Sequence, residues 1–342
     1  MSTNTALVAG ANGIIGRTLA THLRDRGWDV IGLSRRGGPG TVAVDLLDPA
    51  DTHAKVGALT GVTHLFYAAY QDKPTWAELV APNLAMLTNL VDALEPAAPG
   101  LSHISLMQGY KVYGAHLGPF ETPAREDDAG HMPPEFNVDQ QTFLSRRASG
   151  APWSWSAIRP SVVGGTTLGN PMNLALVIAV YASISKELGL PLRFPGKPGA
   201  YDSLLEMTDA GLLADGTIWA AEHSRNEAFN IANGDLFRWR SLWPKLAAYF
   251  DLQVAPPLPM SLSATMADKA PLWTEMASRH DLSTSYADVS ASWAFGDFVF
   301  SWDYDMFADT SKARRAGFHT YVSTEEMFFR LFDEFRKARV IP

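Results

Sequence analysis

The chain has 342 residues, 46% of them hydrophobic and 19% charged, which supplies one large core or two modest ones and excludes a disordered chain. Thirty-six Asp and Glu against 28 Lys and Arg leave a formal charge of -8, so nucleic acid and anionic membrane are not expected partners. Cysteine is absent, which excludes disulfides, thiolate nucleophiles, iron–sulfur clusters and cysteine-ligated zinc together.

The opening residues lack a basic region followed by a cleavable apolar run, and the longest apolar stretch, around 174–181, is far below the ~20 residues that span a bilayer. A cytoplasmic protein is expected. Over the first 160 residues, short β-branched runs alternate with longer helical patterns, the signature of a parallel sheet covered on both faces. Strands are predicted at 6–9, 30–33, 42–44, 64–68, 104–107 and 154–158, and helices at 14–26, 76–94 and 139–149. The proline-rich, acidic segment 119–134 reads as a surface loop or lid, with Glu121 and the acids of 126–128 solvated.

Beyond residue 160 the alternation fades. Helices are predicted at 172–188, 209–222, 241–250 and 324–338, with a strand at 228–231, a Pro/Gly turn at 195–199 and a Met/Pro-rich stretch at 255–265. The expected fold class is α/β, a doubly wound Rossmann sheet over 1–165. A smaller, mostly helical substrate lobe follows over 166–342, with about 205–235 returning to the sheet. Ten of the 37 aromatic residues precede residue 151, so the second half carries either an aromatic core or an apolar ligand pocket.

The first strand runs into Gly10-Ala11-Asn12-Gly13-Ile14-Ile15-Gly16, a G-x-x-G-x-x-G spacing that opens a helix. Such glycines permit a tight turn and close approach of backbone amides to a pyrophosphate at the helix N-terminus. The second strand ends in Ser34-Arg35-Arg36, where NAD-binding chains place an acid for the ribose hydroxyls. Two guanidiniums and a hydroxyl suit a 2′-phosphate, so NADP(H) is the expected cofactor. Asp45 either contacts the adenine or caps the turn that follows, and Leu46 and Ala68 are counted with the cofactor-binding residues.

These residues resemble an extended short-chain dehydrogenase/reductase of the progesterone 5β-reductase/iridoid synthase-like family, over nearly the whole chain. The markers are the glycine motif with Ser34-Arg35-Arg36, His103-Ile104-Ser105-Leu106, Gly109-Tyr110-Lys111-Val112-Tyr113, Gly118-Pro119-Phe120-Glu121 and Trp153-Ser154-Trp155-Ser156-Ala157-Ile158-Arg159-Pro160. Further markers are Asn226-Glu227-Ala228-Phe229-Asn230-Ile231-Ala232-Asn233-Gly234-Asp235, Trp239 and Trp293-Ala294-Phe295-Gly296-Asp297. The resemblance implies hydride transfer from NADPH to the β-carbon of an activated alkene, an enone or enal on a steroid or terpenoid skeleton. It implies that Lys111 holds the nicotinamide ribose and favours the developing enolate, and that Pro160, Val162 and Val163 hold the carboxamide through their backbone.

The family pattern breaks at Phe136-Asn137-Val138-Asp139-Gln140-Gln141, where Val138 stands in place of the phenol that donates to the substrate oxygen. The replacement donors considered are the Asn137 amide and the Tyr110 and Tyr113 phenols flanking Lys111, with Tyr67 and Tyr70 at the end of the fourth strand, which also opens onto the cofactor crevice, and Tyr201 in the second lobe. An aromatic-lined cleft between the lobes is the expected substrate site, with Val138, Tyr70, Met172, Trp273, Met276 and Phe307 as lining residues. The preferred function is an NADPH-dependent reductase of a small apolar enone, enal or related carbonyl, compatible with a homodimer. The first alternative is an NADP-using isomerase, lyase, cyclase or alcohol dehydrogenase that works without the phenol. The second is a non-catalytic NADP-binding sensor. Scattered histidines without paired spacing and the lack of a G-x-S-x-G elbow disfavour a zinc site and a serine hydrolase.

Overall fold

A computed structural model describes residues 4–130 and 132–342 and divides them into two units. The first unit comprises the chain through Ser161 together with Ala210–Ile231 and Ala308–Thr320. Its strands are β1 (Thr5–Ala9), β2 (Asp29–Ser34), β3 (Thr41–Ala43), β4 (His64–Tyr67), β5 (His103–Met107), β6 (Ser154–Pro160) and β10 (Glu227–Ile231). They form one sheet in the order β10-β6-β5-β4-β1-β2-β3, every pairing parallel.

Parallel strands need crossovers, and α1 (Ile14–Asp25), α2 (Pro49–Val56), α3 (Trp76–Ala97), α4 (Phe136–Ala148) and α6 (Ala210–His223) cover the sheet. Strand β1 shows why its sequence is apolar at consecutive positions. Ala6 and Val8 face Leu19 and Leu23 of α1 and Ala214 and Ile218 of α6, while Leu7 and Ala9 join the opposite core with Leu87, Leu90 and Leu144.

Two local differences from the predicted elements have identifiable causes. Helix α2 was not predicted, although Asp48 caps it by accepting from Ala50 N and Asp51 N and Pro49 occupies its first turn. Helix α4 begins at Phe136 rather than at 139 because the Glu135 side chain accepts from Val138 N at 3.1 Å. The predicted lid is also not wholly solvated. Ala124 is buried and its carbonyl accepts from Asp309 N at 2.8 Å, while the Glu126 carboxylate accepts from Asn230 N at 2.9 Å. His131 of that segment lies outside the described residues.

The second unit comprises Val162–Asp209, Ala232–Phe307 and the chain from Tyr321. It holds β7 (Val162–Gly164) paired with β9 (Met207–Asp209), β8 (Leu192–Arg193) paired with β11 (Val254–Ala255), and the helices α5 (Leu174–Glu187), α7 (Trp239–Tyr249), α8 (Leu262–Thr265), α9 (Ala270–His280), α10 (Tyr286–Ser290), α11 (Trp293–Phe300) and α13 (Thr324–Lys337). The short α12 (Ser311–Arg315) belongs to the first unit. Helix α5 is buried on every side from Leu174 to Ser185, the position its unbroken apolar sequence requires. Phe194, Trp239, Trp243 and Phe300 pack against one another with centroids 5.3–5.9 Å apart, so this part of the aromatic excess is core. No described helix is long and apolar enough to cross a membrane.

The turn after β1 is closely constrained. Gly10 sits at φ +81°, and a Cβ there would stand 2.5 Å from the Ala68 carbonyl oxygen. Gly10→Ala is expected to cost about 1–3 kcal/mol of backbone strain or more, read as a lower urea midpoint. An unchanged midpoint would contradict this placement.

Candidate active site

The sheet order places β1 beside β4, with the chain running outward from there in both directions. The carboxyl ends of these strands flank the crevice where doubly wound sheets bind ligands. Helix α1 starts there at Gly13, with no side-chain cap and no acid in its first turn. The chain therefore leaves the positive helix end uncompensated, the condition a pyrophosphate exploits. Ile14 and Gly16 are buried and Ile15 is half-buried. A Cβ on Gly16 would stand 2.3 Å from the Gly10 carbonyl oxygen, which fixes the helix against the strand.

At the end of β2, Asn12 Nδ2 donates to Ser34 Oγ at 2.9 Å and to the Gly37 carbonyl at 3.2 Å, and Ser34 Oγ accepts from Gly37 N at 3.0 Å. Asn12 and Ser34 thus stitch the two strand ends together. Arg35 and Arg36 stay exposed, with Arg35 Nη1 donating to Gln71 Oε1 at 3.3 Å. Asp45 folds its own turn, accepting from Leu47 N at 3.0 Å, and Leu46 belongs to the core. Ala68 supplies the backbone that Gly10 approaches. Open helix amides at the end of β1 fit the phosphates of a dinucleotide.

Beyond β5 the chain passes Gln108 and Gly109 into a 3-10 turn, Tyr110–Tyr113, that carries Lys111. This turn is tied to Arg159 of β6, whose side chain is only 1% exposed. Arg159 Nε donates to Gln108 Oε1 at 2.9 Å, and Nη2 donates to Gln141 Oε1 at 2.9 Å. Its Nη1 donates to the Tyr113 hydroxyl at 3.0 Å and to the Glu126 carbonyl at 2.7 Å. Gln108 Nε2 in turn donates to the Asn137 carbonyl at 2.8 Å. One guanidinium therefore joins β5, the Lys111 turn, the acidic loop and α4.

Lys111 Nζ lies 4.7 Å from the Trp76 ring centroid and 5.5 Å from that of Tyr70. Burial lowers its pKa, and the carboxylates of Glu135 and Asp72 oppose that shift. Glu135 is itself buried, which raises its pKa, while it accepts from Asn137 Nδ2 at 2.7 Å. Asp72 accepts from the Tyr70 hydroxyl at 2.9 Å.

The proposed substitutes for the missing phenol are mostly committed elsewhere. Tyr113 donates to Asn230 Oδ1 at 2.6 Å while accepting from Arg159, and burial pushes its pKa up to about 12. Asn137 is buried and spends an amide proton on Glu135. Tyr110 is buried and packs against Tyr113 with centroids 5.7 Å apart. Val138 is half-buried in the first turn of α4.

Two expected lining residues are corrected. Trp273 is 0% exposed with its indole nitrogen donating to the Thr284 carbonyl at 3.3 Å, and Met276 is 1% exposed, so both are core side chains of the second unit. Their three-residue spacing along α9 serves that helix's own packing. Met172 is exposed, Val162 and Val163 pair with Met207 and Thr208, and Pro160 ends β6. Sequence reasoning did not single out Trp76, Asp72 or Glu135. A capping box at Thr75 and Glu78 marks the helix start at Trp76, but nothing local reveals that this ring meets Lys111.

The PRISE-like Rossmann-fold domain family matches residues 44–342. An (S)-8-oxocitronellyl enol synthase of Camptotheca acuminata is 33% identical over 98% of this chain and 93% of its own length. A 3-oxo-Delta(4,5)-steroid 5-beta-reductase of Arabidopsis thaliana is 30% identical over 98% and 93%. Among solved structures, a UDP-glucose 4-epimerase of Thermus thermophilus in complex with NAD superposes with TM-score 0.68 at 19% identity, covering 98% of this chain and 99% of that one, a likeness of fold.

Tyr113→Phe is expected to cost about 1–3 kcal/mol of stability, because Arg159 and Asn230 each lose a buried partner. Its turnover should fall by less than about tenfold, against the ~10²–10³ typical of a lost oxyanion donor. Chemical denaturation and steady-state kinetics measure both. A large loss of turnover at unchanged stability would place this phenol on the substrate.

Proposed function

This chain belongs to the PRISE-like Rossmann-fold family and is an oxidoreductase, and we propose that it reduces the conjugated double bond of a small apolar enone or enal with NADPH as hydride donor. The activities for which the two relatives are named share one chemistry. Carbon 5 of a 3-oxo-Δ4,5 steroid is the β-carbon of an enone, and an enol is what hydride addition to a conjugated carbonyl leaves once the oxygen is protonated.

The observation that carries this reading is Lys111, a half-buried cation in the turn that follows the carboxyl end of β5, the strand next to β4. In a low-dielectric setting a fixed ammonium favours negative charge developing on a substrate oxygen and hydrogen-bonds ribose hydroxyls in its path. Nζ lies over the rings of Tyr70 and Trp76, whose faces favour the cation. The preference for NADPH rests on Arg35 and Arg36, exposed at the β2 end where no acid stands. Val138, half-buried in the first turn of α4, has an apolar side chain and no proton to donate, so its contribution is to binding rather than to proton transfer.

NADPH oxidation in the presence of small enones and enals, with product mass, tests the reading. Turnover with a saturated product is expected, and NADPH binding without turnover would contradict it. Replacing Arg35 and Arg36 together by Ala should lower kcat/KM for NADPH by about ten- to a hundredfold and leave NADH little changed. Because burial depresses the Lys111 pKa, the cation is lost as pH rises through that depressed value. The alkaline limb of kcat/KM should therefore begin below the usual lysine range, and Lys111→Met should remove the limb and cost ~10²–10³ in rate. A limb that persists in Lys111→Met would assign it to another group.

A further inference from the structure

Among the described residues of the first unit, two candidate polar side chains, Tyr67 at the end of β4 and His116 after the Lys111 turn, have a buried atom without a hydrogen-bond partner, and the Tyr67 ring is 2% exposed within the core. His116 follows the Lys111 turn, and its ring packs edge-on against Trp76 with centroids 4.6 Å apart, on the same indole that Lys111 Nζ approaches to 4.7 Å. His116 Nδ1 is buried with no hydrogen-bond partner. A buried nitrogen without a partner costs about 1–3 kcal/mol, so its retention calls for a reason. A proton on Nδ1 would meet no acceptor there. The neutral ring therefore carries its proton on Nε2, and the residue as a whole is only half-buried. Burial, aided by the Lys111 charge, lowers the His116 pKa to about 4, which keeps the ring neutral near pH 7.

We propose that His116 Nε2–H is the hydrogen-bond donor to the substrate carbonyl oxygen, taking the role that Val138 cannot fill. This rests on the reductase reading above. Hydride addition forms the C–H bond at the β-carbon, breaks the C=C π bond and places the electron pair on the carbonyl oxygen as an enolate. Nε2–H holds that oxygen through a hydrogen bond without giving up its proton, Lys111 supplies the facing positive charge, and water protonates the α-carbon. A neutral imidazole is suited to this, since it polarises a carbonyl without adding a second cation beside Lys111. Of the other donors considered, Tyr113 is spent on Arg159 and Asn230, Asn137 on Glu135 and Tyr70 on Asp72, while the unpartnered Tyr67 hydroxyl belongs to a ring held in the core at 2% exposure.

The test uses 4-nitrophenolate as an enolate mimic, titrated by calorimetry into the NADP+-loaded protein, alongside NADPH oxidation with small enones. His116→Gln places an amide nitrogen near the Nε2 position, whereas His116→Asn places one near Nδ1. Phenolate binding is expected to weaken by about tenfold or more in His116→Phe and His116→Asn and to stay within about threefold in His116→Gln. Turnover should fall by ~10²–10³ in His116→Phe. Unchanged binding in His116→Phe, rescue by Asn rather than Gln, or no phenolate binding to the parent protein overturns the proposal. Phenolate binding that depends on His116 in a protein that oxidises NADPH with no enone or enal overturns the reductase reading instead.

Discussion

Arg159 carries a charge inside the first unit, between strands β5 and β10, with 1% of its surface exposed. Moving a guanidinium out of water costs several kcal/mol unless its donors are satisfied, so the surrounding segments must supply acceptors in fixed positions. They do so from four places: Gln108 after β5, Tyr113 of the lysine turn, the Glu126 carbonyl and Gln141 of α4. Three of these, Gln108, Tyr113 and Glu126, lie in turns and loops where backbone geometry alone would leave latitude. The requirement to satisfy one cation removes that latitude and sets where Lys111 and the start of α4 stand.

The same arithmetic shapes the chemistry. A site whose phenols and amides are consumed in holding its framework has few donors left for a ligand. Tyr113 and Asn137 are both of the right type to contact an oxyanion, yet each completes a buried network that would be costly to open. Lys111 is different because its neighbours are two ring faces and two carboxylates that oppose the effect of burial, and Nζ makes no hydrogen bond among the described residues. It remains a directed charge at the crevice. The valine at 138 is then an apolar wall, and polar work falls to groups on the lysine turn's own side.

Much of this was legible in the sequence, and the limits have physical causes. The strands of the sheet and the glycine turn follow from period and spacing, because consecutive apolar residues such as those of β1 are required only where both faces are covered. The exposed Arg35-Arg36 pair and the valine at 138 are likewise local facts. Long-range pairings were not legible. An arginine within Trp155-Ser156-Ala157-Ile158-Arg159-Pro160 hints at a buried cation, but its partners come from residues 18 to 51 positions away. The acidic loop was read as solvent-facing since nothing in it announces that Glu126 meets the Asn230 amide. Trp273 and Met276 were read as ligand-lining on aromatic content, a property that core and pocket share.

The central claim is hydride delivery to the β-carbon of a conjugated carbonyl in a site built around Lys111. Incubating the protein with an enone and NADPH deuterated at the transferring position, then locating the label in the product by NMR, tests it most directly. Deuterium at the β-carbon of a saturated carbonyl product is the expected result. Deuterium at a carbinol carbon, or product formed with no label and no NADPH consumed, would contradict it.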